Sequence, residues 1–213
     1  MDKSVKKIVD VHCERVKVAL EKKRFLCDVV ENAQEAKELI KTLIPTGASV
    51  AFGGSMTLNE TGIKAMIREI DVVYQDRDNP ALSRSELHEV LREAFTADVY
   101  VTSTNAITLQ GELYNVDGLG NRVAAMIFGP KKVIVVAGYN KICKDEEEAK
   151  KRICMLAAPM NAERLSKDTP CRKVGECCNC NSEQRICDAY VAIKRSHEAG
   201  RIHVILVKEE YGY

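Results

Sequence analysis

The chain has 213 residues, 46% of them hydrophobic and 30% charged, with a formal net charge of +1. That is enough for one large domain with a real core, while the missing basic excess and the 5% aromatics without Trp exclude a dedicated nucleic-acid binder. No apolar run approaches the ~20 residues that span a bilayer and Met1–Asp10 lacks a signal-peptide core, so a cytoplasmic protein with no membrane span is expected.

Val5, Ile8, Val9, His12, Val16, Ala19 and Leu20 recur at helical spacing and predict an amphipathic helix over 3–24. A β-prone run from Phe25 to Val30 precedes a helical pattern from Asn32 to Leu43, which Pro45 and Gly47 close. Ser49–Phe52 reads as a buried strand running into Gly53-Gly54-Ser55. Thr57 and Glu60 have capping-box spacing and predict a helix to about Arg68. Asp71–Tyr74 is the next strand, and Ser83 with Glu86 opens a capped helix to Ala94. Val99–Thr104 and Ile107–Val116 read as strands with a turn between them. Gly118 and Gly120 then break the chain before a short helix from Asn121 to Phe128. Lys132–Ala137 is an apolar strand suited to a buried position, Asp145 caps a further helix, and Ile202–Val207 is a last strand.

This alternation predicts an α/β fold with a mostly parallel sheet flanked by helices. Residues 1–167 read as that domain. Residues 168–213 read as a cysteine-rich extension whose final strand rejoins the sheet.

Nine cysteines are the compositional anomaly, and Cys171, Cys177, Cys178, Cys180 and Cys187 fall within 17 residues. In a reducing compartment such a cluster points to metal ligation rather than disulfides. Cys177 and Cys180 form a C-x-x-C, with Cys171 and Cys187 near enough to complete four thiolates. That set suits an iron–sulfur cluster, with 4Fe-4S expected, or tetrahedral Zn. A single C-x-x-C favours the cluster over a zinc ribbon and leaves Cys178 surplus. Free thiols are the plainer alternative. Cys13, Cys27, Cys143 and Cys154 read as small buried hydrophobes.

Two polar constellations could carry a ligand. Gly53, Gly54, Ser55 and Thr57 stand between a strand and a helix, where backbone amides can face an anion or simply turn the chain. The second set joins Asn105, Glu112, Asn115, Asp117, Gly118, Gly120, Asn121 and Arg122. There Arg122 would clamp a carboxylate or phosphate, and Glu112 or Asp117 would act as base or nucleophile. The alternative is a polar network in which Asp117 caps the helix. Both sets follow strands, so they are expected to meet in one cleft at the strands' carboxyl ends. No histidine receives a role, and Lys64 and Arg68 read as the exposed face of their helix.

The stretches GGSMTLNETGI (53–63) and TSTNAITLQGELYNVDGLGNRVAAMIFGPKKVIVVAGYNKI (102–142), with the C-terminal cysteine motif, resemble the LUD-domain, or lactate-utilization, proteins in their stand-alone form. The resemblance implies the α/β fold shared with ribose-5-phosphate isomerase, sugar-phosphate deaminases, folate cyclo-ligases and CoA transferases. It also implies a link to oxidation of L-lactate to pyruvate by a multi-protein iron–sulfur system. The chain lacks repeated C-x-x-C-x-x-C runs, a flavin fingerprint and a nicotinamide G-x-G-x-x-G. The resulting reading is a homodimeric redox accessory protein. It would bind a small anion of the lactate, CoA or sugar-phosphate class, hold one cluster and work beside iron–sulfur subunits. The alternatives are an enzyme of the CoA-transferase or sugar-phosphate-isomerase type, using Glu112 or Asp117, and a zinc-stabilised regulatory or scaffold protein.

Overall fold

The structure, a computed structural model, describes residues 2–213. Helix α1 (Lys3–Lys22) buries the stripe Val9, Cys13, Val16 and Leu20, and the Asp2 carboxylate caps it by accepting from the Ser4 amide at 2.9 Å. The chain continues through β1 (Leu26–Val30), α2 (Ala33–Leu43), β2 (Ser49–Phe52), α3 (Met56–Glu60), α4 (Ile63–Glu69), β3 (Val73–Tyr74) and α5 (Arg84–Glu93). The helix expected in one piece to Arg68 is two, because Gly62 adopts the left-handed φ of 69° between α3 and α4. Its cap is Ser55 rather than Thr57: Ser55 Oγ accepts from the Leu58 amide at 3.3 Å. The Ser83–Glu86 box forms as its spacing predicts.

Next come β4 (Val99–Thr102), β5 (Ala106–Thr108), β6 (Leu113–Asp117), α6 (Asn121–Phe128), β7 (Lys132–Gly138), β8 (Ile142–Cys143) and α7 (Glu146–Arg152). A π-helical turn over Ile153–Ala157 leads into α8 (Ala158–Arg164). Helix α9 (Pro170–Val174), β9 (Ala189–Ile193) and β10 (Ile202–Val207) finish the chain. The expected single run Ile107–Val116 is instead a hairpin, with Ala106 opposite Tyr114 and Ile107 opposite Leu113. Its turn uses Gly111 at φ 74°, pressed so closely on α1 that a Cβ there would sit 2.6 Å from the Ala19 carbonyl carbon.

Six strands form one parallel sheet in the order β1-β10-β7-β4-β2-β3, so β10 is inserted in its interior. Along β7 successive side chains alternate between the sheet's faces. Val133, Val135 and Ala137 join Val16, Leu20 and Met126 in one layer. Ile134 and Val136 join Ala36, Ile40, Ile63 and Ile67 in the other. Each such buried aliphatic contributes about 1.5–3 kcal/mol, which is why a strand covered on both faces reads as an unbroken apolar run.

A second, mixed sheet has the order β8-β5-β6-β9. Its Ala106, Tyr114, Val116 and Cys143 pack with Ala149, Ile153 and Cys187. In the main sheet the chain steps outward from β2 to β3, then returns across β2 to β4 and onward to β7 and β10. The direction of winding therefore reverses between β2 and β4. A crevice outside the carboxyl ends at such a reversal is where open α/β sheets take ligands. Among the described residues, no helix is long and apolar enough to cross a membrane.

Candidate functional site

A cavity of about 360 Å³ opens at that reversal. The segments following β2, β3, β4 and β7 supply Gly54, Arg77, Ser103 and Lys141 to its wall, and α8 supplies Arg164. Gly54 and Ser55 from the first glycine-rich break meet Asn105, Asp117, Asn121 and Arg122 from the second across this space.

Gly53 does not reach the cavity. It lets β2 end hard against β4, since a Cβ would stand 2.2 Å from Thr102 Oγ1. Gly118 likewise permits a close approach, where a Cβ would meet the Ile186 Cα at 3.3 Å. Gly120 takes a left-handed φ of 77° at the start of α6.

Arg122 is built into the wall. Its Nε donates to Asp117 Oδ1 at 2.9 Å. Its Nη1 donates to Asn115 Oδ1 at 2.6 Å and the Ser103 carbonyl at 3.1 Å. Its Nη2 donates to the Val116 carbonyl at 2.8 Å and Asn105 Oδ1 at 3.0 Å. A guanidinium has five N–H donors, and all five go to protein acceptors. The clamp expected of Arg122 is therefore corrected to a brace that holds β4, β6 and α6 in register. Asp117 is equally committed: besides Arg122 Nε, it accepts the Arg122 and Val123 amides at 3.0 and 3.2 Å and so caps α6.

Glu112 lies elsewhere. Five residues of extended chain, at about 3.4 Å each, separate it from Asp117 along β6. It accepts from Lys23 Nζ at 2.8 Å and from the Tyr114 hydroxyl at 2.9 Å. The hairpin that the sequence reading ran together as one strand carries it to the other end of the second sheet, which rules it out as the base in this cleft.

Five basic side chains (Lys64, Arg77, Arg122, Lys141 and Arg164) and two carboxylates (Asp78 and Asp117) line the cavity. Lys64 is buried, not on an exposed face, because the break at Gly62 re-aims α4. Its Nζ pairs with Asp78 Oδ2 at 2.6 Å. Burial disfavours the Asp78 anion, but Lys64, Arg77 and Arg68 together hold its carboxyl below the usual carboxylate range. Asp117 is matched by Arg122 and Asp78 by Lys64. The excess positive charge sits on Arg77 and Arg164. Arg164 has no ion-pair partner among the described residues, and donates to Asn161 Oδ1 at 3.0 and 2.6 Å.

Lys141 is a candidate site residue that no sequence motif marks. It is only 2% exposed, in the turn Tyr139–Lys141 after β7. Its Nζ contacts Thr57 Oγ1 at 2.8 Å, Ser103 Oγ at 3.0 Å and the Thr104 carbonyl at 3.1 Å, none of them charged. Burial first, then the Arg152 and Arg122 guanidiniums, push its pKa well below the ordinary lysine value. Arg152 is anchored close by, with Nε on the Asn140 carbonyl at 3.1 Å and Nη1 on the Asn105 carbonyl at 2.7 Å. The signal that could have found Lys141 is positional: it follows the longest apolar strand directly, as Gly53 follows β2 and Ser103 follows β4.

All nine cysteines are free thiols. Cys171 is buried on α9 beside Thr169 Oγ1 at 3.3 Å, Cys187 is buried, Cys177 and Cys180 are half-buried, and Cys178 is exposed. Arg185 holds the loop shape, donating to the Cys180 carbonyl at 2.6 Å and the Cys187 carbonyl at 2.9 and 3.0 Å. Cys154, read from sequence as a core hydrophobe, belongs to this lobe, since its carbonyl accepts the Cys177 amide at 2.9 Å. Burial and the neighbouring Cys177 and Cys187 push the Cys154 thiol up. Among the described residues, no three His, Cys, Asp or Glu side chains form a group that could hold a metal ion.

A family model described as the LUD domain matches residues 13–207. No curated protein matches the sequence. Among solved structures, the chain is similar to a crystal structure of a DUF162 family protein from Deinococcus radiodurans at 1.70 Å resolution. That protein is 14% identical over 95% of this chain and 98% of its own, with a TM-score of 0.49.

Proposed function

The chain belongs to the LUD-domain family, linked in general to lactate utilization, and on that premise we propose that its cleft binds a small anionic ligand of the lactate, CoA or sugar-phosphate class. The observation that carries this reading is the charge of the wall. Arg77 and Arg164 both line the cavity. Neither is held in a close ion pair: Arg77 offers the Phe52 carbonyl a 3.5 Å contact and lies 3.9 Å from Asp78, and Arg164 meets the Asn161 amide oxygen and the Tyr213 side chain. A carboxylate or phosphate placed between them would receive the charge-assisted bonds that Arg122 cannot give. The volume is at the small end of ligand pockets, which suits a compact anion or the reacting end of a longer one.

Calorimetry with L-lactate, coenzyme A, ribose 5-phosphate and inorganic phosphate tests the proposal. At least one should bind, and Arg77→Gln and Arg164→Gln should each weaken it about tenfold, the value of one charged hydrogen bond. Binding that neither substitution changes would overturn it.

A further inference from the structure

Ser103, Lys141 and Thr57 come from three separate segments and meet beside the cavity, which Ser103 and Lys141 line. Lys141 Nζ is 3.0 Å from Ser103 Oγ and 2.8 Å from Thr57 Oγ1, and Ser103 is 5% exposed in the wall of the cavity. The hydrogen-bond directions are constrained. The Thr104 carbonyl can only accept. The Thr57 hydroxyl gives its own proton to the Tyr211 carbonyl at 3.2 Å, so it too accepts from Nζ. A neutral amine has two N–H donors and one lone pair. The Ser103 hydroxyl also lies 3.3 Å from Thr57 Oγ1 and from the Thr104 carbonyl, but Nζ is nearer at 3.0 Å, and in its neutral form it can use both donors on Thr57 and Thr104 and offer the lone pair to the Ser103 O–H. A nucleophile, a base in contact with it and a third group orienting the base form the arrangement by which a hydroxyl is activated.

We propose that Ser103 is a nucleophile, with Lys141 as its general base and Thr57 as the positioning residue, for acyl transfer from a small anionic ester or thioester. This rests on the reading of the cleft as an anion site, because Arg77 and Arg164 would hold the charged part of the acyl compound. Burial and the Arg152 and Arg122 charges lower the Lys141 pKa and so favour the unprotonated amine that a general base requires.

In the forward step Ser103 Oγ bonds to the acyl carbon while its proton passes to Lys141 Nζ. The bond from that carbon to the leaving oxygen or sulfur breaks, and the leaving group takes the proton from Nζ. Water then gives a proton to Nζ and its oxygen bonds to the acyl carbon. The Ser103 ester bond breaks and Oγ recovers the proton. The net change is hydrolysis to a carboxylic acid and an alcohol or thiol, and an acceptor other than water would turn hydrolysis into transfer.

The test uses the full chain and the mono-ester 4-nitrophenyl succinate, which carries one carboxylate. A burst of nitrophenolate should accompany one succinyl group per chain, mapped to Ser103 by peptide mass spectrometry. Ser103→Ala should abolish the adduct, and Lys141→Met should slow its formation about 100-fold, the usual share of a general base. Thr57→Ser should keep the burst and Thr57→Val should lose it, a rescue that a packing role would not produce. If Lys141→Met does not fold, the near-isosteric Ser103→Ala still decides. An adduct on another residue, or an unchanged burst in Ser103→Ala, overturns the dyad. Wild-type chain that binds phosphate by calorimetry yet forms no adduct overturns the dyad alone, while loss of both overturns the anion cleft beneath it.

Discussion

Replacing Arg122 by Met tests whether the guanidinium is a brace or a ligand clamp. The side chain is 9% exposed and its Asp117 partner 12%, so its loss uncovers little to water. Asn115 Oδ1 and the Ser103 and Val116 carbonyls each lose a donor, whereas Asn105 Oδ1 keeps the Val116 amide and Asp117 keeps two amides. An unsatisfied buried polar group costs about 1–3 kcal/mol, and breaking a buried ion pair about 3–5 kcal/mol. Because Asp117 retains its amides, the lower ends apply, about 3 kcal/mol for the three groups and about 3 kcal/mol for the ion pair, and the loss should come to about 6 kcal/mol. That is a large share of the 5–15 kcal/mol typical of a whole domain. In urea, with a slope of about 2–3 kcal/mol/M, the midpoint should fall by about 2–3 M. Asp117→Asn and the double variant complete a cycle whose coupling should exceed about 1 kcal/mol. A midpoint shift below about 0.3 M, with coupling near zero, would refute the reasoning and return Arg122 to the cleft as an available donor.

Gly53→Ala should cost about 1–3 kcal/mol in a thermal melt, because its Cβ would stand 2.2 Å from Thr102 Oγ1 and 2.9 Å from its Cβ; an unchanged melting temperature would contradict that packing. Lys141 binds fewer protons folded than unfolded between its depressed pKa and the ordinary lysine value, so its contribution to stability rises with pH across that window. Wild-type stability minus that of Lys141→Met should therefore climb from pH 7 to 10 in paired urea melts, and a flat difference would refute the assignment. Burial pushes the Cys13 and Cys143 thiols up to about 11, which leaves roughly one thiolate per thousand at pH 8. Iodoacetamide followed by peptide mapping should label the exposed Cys178 well before either, and equal rates would show that α1 and β8 are not packed as described.

Much of the fold is legible locally. Ser49–Phe52, Asn121–Phe128 and Ile202–Val207 occupy the predicted residues because an apolar run or a capped amphipathic turn is specified by its own side chains. Strand β9 escaped notice because its burial alternates weakly, with Tyr190 half exposed. The hairpin at Gly111 was hidden for a different reason: its turn is shaped by contact with α1, about ninety residues earlier. The two glycine-rich breaks do reach one cleft, since strand ends in a parallel sheet share a side. Which of their polar groups remain available there is not a local property, and Arg122 and Glu112 were both misjudged on that account.

Residue types and their periodicity alone determined the α/β alternation, the capped helix starts and the location of the cleft at strand carboxyl ends, because these depend on hydrogen-bond and burial patterns within a few residues. Only the tertiary structure decided that Lys64 and Lys141 are buried, that Glu112 faces away, and that the cysteine loop rests on Cys154. Lysine is ordinarily a surface residue, and no neighbour in the sequence marks Lys141 as an exception. Its burial comes from Thr57, Ser103 and Thr104, which α3 and the end of β4 bring to it from 84 and 38 residues away in the cases of Thr57 and Ser103. The charge state of an amine depends on such distant company: the desolvation and the guanidiniums that the folded chain places around it.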